Sequence, residues 1–333
     1  MTKSELNLVV IGGGTGSFTL LQTFKRSFDS ISALVNMADN GGSSGMLRDE
    51  LGVLPPGDIR QCLVALSDTP ELRDLFNYRF DSGTLKGHTV GNILLSALEK
   101  STGSFTKAVE SASRILRITG RVIPITTIDT HLVMLDSEKK IITGQSLIEN
   151  TDMSREMKPE LSLEPNAGIN PAAREALLNA DIIVIAPGNL YSSLAPALLV
   201  RGVGEALSES KAKKVYVCNL VTKPKQTDDY SVDDYAAEIE RFIGSPVLDY
   251  VFYNNDQPPK NLLEKYTHDG EYLVKYQPSS LDDRHYLAIG LPLIAKEEVK
   301  IKAGDPLAHN RSLIRHNPSL LVPEIMKIYK NNY

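Results

Sequence analysis

Leu6-Asn7-Leu8-Val9-Val10-Ile11-Gly12-Gly13-Gly14-Thr15-Gly16 sets a strand, a turn and a helix start side by side. A short run rich in β-branched residues that stops at glycines predicts a buried strand ending in a tight turn. Phe18, Leu20, Leu21 and Phe24 recur at helical spacing, which predicts a helix from about Thr15 or Gly16. Glycines let a ligand approach the backbone, and the free N–H groups at a helix start favour an anion. Gly12, Gly13, Gly14, Thr15 and Gly16 are therefore candidate phosphate-binding residues. The run breaks the dinucleotide fingerprint, because the third glycine would fall at Ser17 or Thr19. It is not a P-loop either, since no Gly-Lys-Ser/Thr follows.

A second strand is expected over Ile31–Met37, ending in Ala38-Asp39-Asn40-Gly41-Gly42-Ser43-Ser44-Gly45. Two strands joined by one helix form a βαβ unit with parallel strands and a right-handed crossover. Both glycine-rich loops then lie at strand C-terminal ends, the edge where open α/β sheets bind ligands. Asp58 after Leu54-Pro55-Pro56-Gly57 is placed to cap a helix through Ile59, Leu63 and Leu66. Thr69-Pro70 and Ser104 are placed to cap two more. Between Val122 and Ile142 short apolar runs suggest strands instead, and residues 119–166 are expected to form an antiparallel excursion or subdomain. The α/β rhythm resumes with a cap and proline at Asn170-Pro171, strands over 181–186, 214–219 and 249–253, and a helix through Leu194 and Leu198. Ser231 and Asp234 are spaced as a capping box. The expected fold is a doubly wound, mainly parallel α/β sheet in one domain over residues 1–333.

Net charge is −5 and the composition is ordinary for a globular protein, which disfavours a general nucleic-acid surface. Cys62 and Cys218 stand far apart with no Cys-x-x-Cys, so no zinc or redox motif is expected and a reducing, cytoplasmic setting fits. The first apolar run is too short for a signal peptide or a membrane span.

Asp39 lies a little over 20 residues beyond Gly16, where a ribose-binding acid would sit, though a turn aspartate would look the same. Asp58 suits a base, a metal ligand or a plain helix cap. His88, in Gly87-His88-Thr89-Val90-Gly91-Asn92, suits a phosphate or substrate contact or a structural role, and Asn92 shares that ambiguity. Asp39, Asp58 and His88 are the only catalytic candidates. Ser192 and Ser193 lack a Gly-x-Ser-x-Gly elbow. No activated nucleophile or metal cluster stands out, so binding is argued better than catalysis.

Taken together, the glycine run, Ala38–Gly45, Leu54–Arg60, Gly87–Asn92, Pro187-Gly188-Asn189-Leu190-Tyr191-Ser192-Ser193, Cys218–Pro224 and Arg315-His316 resemble the bacterial gluconeogenesis-factor family along essentially the whole chain. That family is a branch of a superfamily that includes 2-phospho-L-lactate transferase. The resemblance implies a Rossmann-like fold and a UDP-sugar ligand such as UDP-N-acetylglucosamine. It further implies a regulatory role in growth and cell-wall or cell-shape maintenance on gluconeogenic carbon sources. Carried onto this chain, Gly12 to Gly16 hold phosphate with Asp39 and Asn40 beside them. Asn189, Asn219 and Thr222 line the nucleotide, while Tyr266 and Arg315 serve the sugar-diphosphate. Related chains commonly carry two aspartates where this one has Asp39-Asn40, and an arginine at Met46; the lost carboxylate weakens a transferase assignment and leaves nucleotide binding untouched. An NAD(P)-dependent oxidoreductase is the more distant alternative. A regulatory protein partner and self-association stay open.

Overall fold

The computed structural model describes residues 4–136, 138–153, 158–296 and 313–331. The opening run forms β1 (Ser4–Gly12), in which Leu8 and Val10 face one hydrophobic core while Val9 and Ile11 face another. A strand buried on both faces needs a continuous apolar run rather than an alternating one. That is why the fold declares itself here.

Six further strands join it: β2 (Phe28–Val35), β3 (Arg121–Pro124), β7 (Ile182–Ile185), β8 (Lys213–Val217), β9 (Tyr250–Asn254) and β10 (Leu287–Leu291). The sheet order is β10-β9-β8-β7-β1-β2-β3, and every neighbouring pair is parallel. The chain builds outward from β1 through β2 to β3, returns, and builds the other half from β7. The order therefore reverses between β1 and β7, and a crevice opens outside their C-terminal ends.

β4 (His131–Leu135), β5 (Ile141–Thr143) and β6 (Glu160–Glu164) form a separate antiparallel sheet in the order β5-β4-β6. The expected excursion over 119–166 is thus antiparallel only from β4 onward. Arg121–Pro124 pairs in parallel with β2 instead, because Val122, Ile123 and Pro124 are all buried and need cover on both faces.

Six helices lie between β1 and β3 in the sequence: α1 (Gly14–Phe24), α2 (Gly42–Leu51), α3 (Gly57–Leu66), α4 (Pro70–Asn77), α5 (Val90–Thr102) and α6 (Phe105–Leu116). Ser104 caps α6, Asn170 caps the helix Pro171–Leu178, and Ser231 and Asp234 form a reciprocal capping box. Two expected caps do not form. Asp58 lies inside the first turn of α3, behind Pro56, and Thr69 flanks α4 without a side-chain bond to it. The segment through Leu194 also departs from a plain helix: Leu190–Leu194 winds as a π-turn before the short helix Ala195–Leu198. Asn189 causes this, since its Oδ1 accepts from both Tyr191 N and Ser192 N while its carbonyl accepts from Leu194 N.

Among the described residues no helix is long and apolar enough to cross a membrane.

Candidate functional site

The turn after β1 is built on backbone that only glycine adopts readily. Gly12 and Gly14 have φ of +151° and +63°. Gly13, extended just past the strand, is the N-cap residue of α1 and has no side chain of its own to cap with; Asp58 accepts from Gly14 N instead. Gly16 serves close approach: a Cβ there would stand 1.8 Å from the Pro187 carbonyl oxygen. The loops after β1 and β7 are therefore in backbone contact where the strand order reverses.

A cleft of about 220 Å³ opens beside that contact. Thr15 and Gly16 of the first turn of α1 form one wall, Pro187 and Gly188 the next, and Asn219 to Val221 a third. Ile314, Arg315 and His316 close it from the C-terminal segment. The positive end of α1, with Thr15 and Gly16 in its first turn, and the Arg315 guanidinium make this an anion-binding corner.

The residues expected around the ligand divide into two groups. Thr15, Gly16, Asn219 and Arg315 line the cleft. Asn219 spends its amide on the neighbouring loop, accepting from Gly188 N at 3.3 Å and donating to Gly188 O at 2.8 Å. Asn189 caps the π-turn and donates to Gln226 Oε1 at 3.3 Å. Thr222 accepts from Tyr272 N at 3.1 Å. Asn40 turns away, accepting from Ser146 N at 2.9 Å across to the antiparallel subdomain. Tyr266 is buried and acts through the chain it holds: its hydroxyl accepts from Leu313 N at 2.7 Å and Ile314 N at 3.1 Å. Tyr266→Phe removes the acceptor from two backbone donors, each of which costs about 1–3 kcal/mol if left unsatisfied in the interior. The expected result is weaker ligand binding with Arg315 misplaced, read by titration calorimetry. An unchanged affinity would detach Tyr266 from the site.

Beneath the glycine turn lie two carboxyl groups. Asp58 accepts from Gly14 N, so one of the turn's donors is already committed, and a Cβ at Gly13 would fall 2.2 Å from Asp58 Oδ2. Burial first, and the Asp39 charge second, push Asp58 up to about 7. Asp39 is raised by burial as well, against the bonds it receives from Gly41 N at 2.9 Å and from Ser44. Such a pair holds a proton near neutrality and suits an acid–base role. Among the described residues no group of three or more His, Cys, Asp or Glu side chains is arranged to hold a metal ion.

His88 and Asn92 belong to a buried chain of polar side chains. Arg60 Nε donates to Asn92 Oδ1 at 3.0 Å, Asn92 Nδ2 donates to Ser43 Oγ at 3.0 Å, and Ser43 meets His88 Nδ1 at 3.0 Å. Arg60 also donates to Asn77, and desolvation lowers its guanidinium to about 10. This chain ties α2, α3 and α5 together under the acid pair. The sequence singles out His88 and Asn92 but not their linkage to Ser43 and Arg60, which are unremarkable as residue types. His316 was visible only as half of a polar pair. It now stands in the cleft with Nε2 2.9 Å from the Cys218 carbonyl oxygen, and burial lowers it to about 4.

Residues 8–294 match the family model described as 2-phospho-L-lactate transferase CofD. The Gluconeogenesis factor of Bacillus subtilis is 34% identical over 322 residues, covering 96% of this chain and 98% of that protein. A relative from Clostridium acetobutylicum is 39% identical over 300 residues, 89% of this chain, and the match spans 65% of that protein's length. The crystal structure of a upf0052 family member from Bacillus halodurans superposes with a TM-score of 0.88 at 34% identity. It covers 98% of this chain and 100% of that one.

Proposed function

We propose, from the premise that the chain belongs to the 2-phospho-L-lactate transferase CofD family and is similar to gluconeogenesis factors, that it binds a nucleotide-sugar of the UDP-N-acetylglucosamine kind and acts as a cytoplasmic regulator. One observation carries this most: the cleft at the β1–β7 reversal joins the first turn of α1 to Arg315. Thr15 and Gly16 N–H groups and the guanidinium supply donors and charge that suit a diphosphate. The implied role is to sense the nucleotide-sugar supply during growth on gluconeogenic carbon and to support cell shape through a protein partner.

Calorimetry against UDP-N-acetylglucosamine, UDP and NAD tests the binding. The first two are expected to bind and NAD to give no heat beyond dilution. Silence with every UDP compound would sink the proposal.

The buried Asp39–Asp58 pair favours one second reading, group transfer from a nucleotide-activated phospho-compound. Incubation with nucleotide-activated phospholactate and a deazaflavin acceptor, followed by mass spectrometry, decides it. Absence of adduct from folded protein rules against turnover of this kind.

A further inference from the structure

His316 occupies a position in the cleft that phosphate binding leaves unexplained. Its Nε2 lies 2.9 Å from the Cys218 carbonyl oxygen. A carbonyl can only accept, so Nε2 carries the proton. Burial disfavours the imidazolium, so the ring is neutral at physiological pH and adds no charge for a phosphate. In a neutral ring with the proton on Nε2, Nδ1 is a bare acceptor. Among the described residues no group donates to it.

The surroundings suit a flat heterocycle. Pro187, Leu220, Val221 and Ile314 give the cleft apolar walls. At about 220 Å³ it is smaller than the roughly 300–1,000 Å³ of pockets that enclose a whole ligand, so it takes the nucleotide end of an extended molecule and leaves the rest outside. The diphosphate belongs at the helix end, which leaves the base for the apolar part. Asn219, the other polar side chain on this wall, already has both amide atoms engaged with Gly188.

We propose that His316 reads the base: Nδ1 accepts the ring N–H of uracil or guanine and discriminates against cytosine and adenine, whose corresponding ring nitrogen is itself an acceptor. This rests on the nucleotide-binding reading above and adds its selectivity. With the wrong base, two acceptors face each other in a buried site and neither is satisfied.

Competition calorimetry with UDP, GDP, CDP and ADP is the test, together with UDP methylated at N3. UDP and GDP are expected to bind about 10- to 100-fold more tightly than CDP and ADP. N3-methyl-UDP is expected to fall to the level of CDP, and this arm needs no protein variant. In His316→Phe, which keeps a ring in the wall but removes the acceptor, UDP, N3-methyl-UDP and CDP should converge on one affinity. Equal binding of all diphosphates by the unaltered protein overturns the base-reading role while nucleotide binding stands. No binding of any of them overturns both.

Discussion

Gly16→Ala is expected to abolish nucleotide binding and to destabilise the protein by about 2–3 kcal/mol. The added Cβ would lie 1.8 Å from the Pro187 carbonyl oxygen, and backbone has no rotamer by which to move aside. The β1 and β7 loops would have to part, which widens the cleft and displaces Thr15 from Gly188. Gly14 behaves differently. Its Cβ would have room, with Asp58 Oδ1 at 3.7 Å the nearest atom, and the cost arises from φ of +63°, about 1–2 kcal/mol for an L side chain. Urea unfolding and calorimetry on the two alanine variants should therefore separate them: Gly16→Ala loses binding and stability together, while Gly14→Ala loses mainly stability. Equal binding by Gly16→Ala and the parent would remove the backbone contact from any functional account.

Asp58→Asn is expected to stabilise the unliganded protein above pH 7. The sign follows from where the proton sits. In the folded protein Asp58 keeps its proton up to about pH 7, whereas in the unfolded chain it releases it near the ordinary value of 3.8. Between those two values the folded state binds more protons, so stability falls as pH rises from about 4 to about 7 and levels off above. At about 1.4 kcal/mol per pH unit the gap bounds the effect at about 4 kcal/mol. Asparagine keeps an oxygen to accept from Gly14 N and offers an N–H toward Asp39, with no charge to bury. Thermal melts at pH 4, 5 and 8 check this: the variant should nearly match the parent at pH 4 and exceed it by a margin that grows through pH 5 to pH 8. A parent protein that gains stability from pH 4 to 7 at this site would contradict the assignment.

The parallel sheet was legible because its strands are continuous apolar runs that glycine and asparagine cut short. Leu8 to Gly12 and Ile182 to Ala186 could hardly be anything else. β10 escaped because Leu287-Ala288-Ile289-Gly290-Leu291 lies at the sheet edge, where no residue is fully buried. α2 escaped because it begins with Gly42-Ser43-Ser44-Gly45, a stretch with turn chemistry and low helix propensity. Tertiary contact decides there: Gly45 presses against the Asn40 carbonyl, with a Cβ position only 2.2 Å away.

The candidate site was legible as an edge, not as a set of contacts. Thr15, Gly16, Asn219 and Arg315 line one cleft; the first two follow from the glycine turn, the last two only from the family resemblance. Asn40, Asn189 and Thr222 are the same residue types in the same kind of loop, yet they spend their side chains on neighbouring backbone. Asn189 is taken by local backbone, but Asn40 and Thr222 by backbone 106 and 50 residues away, and nothing in residue type reveals which partner wins. Asp39 and Asp58 were each visible alone, but their mutual proximity depends on how α3 packs under the glycine turn.

The pairing of β1 with β7 also governs the order of assembly. Leu8 sits beside Ile182, and the cleft is completed only by residues 314–316. During synthesis the first βαβ unit emerges with one flank of its central strand bare until more than half the chain has followed. Contacts of such long sequence separation form slowly, and an exposed strand edge invites association with other chains. Any ligand of that cleft can therefore stabilise only finished molecules, and ligand added during synthesis would not protect the unfinished chain.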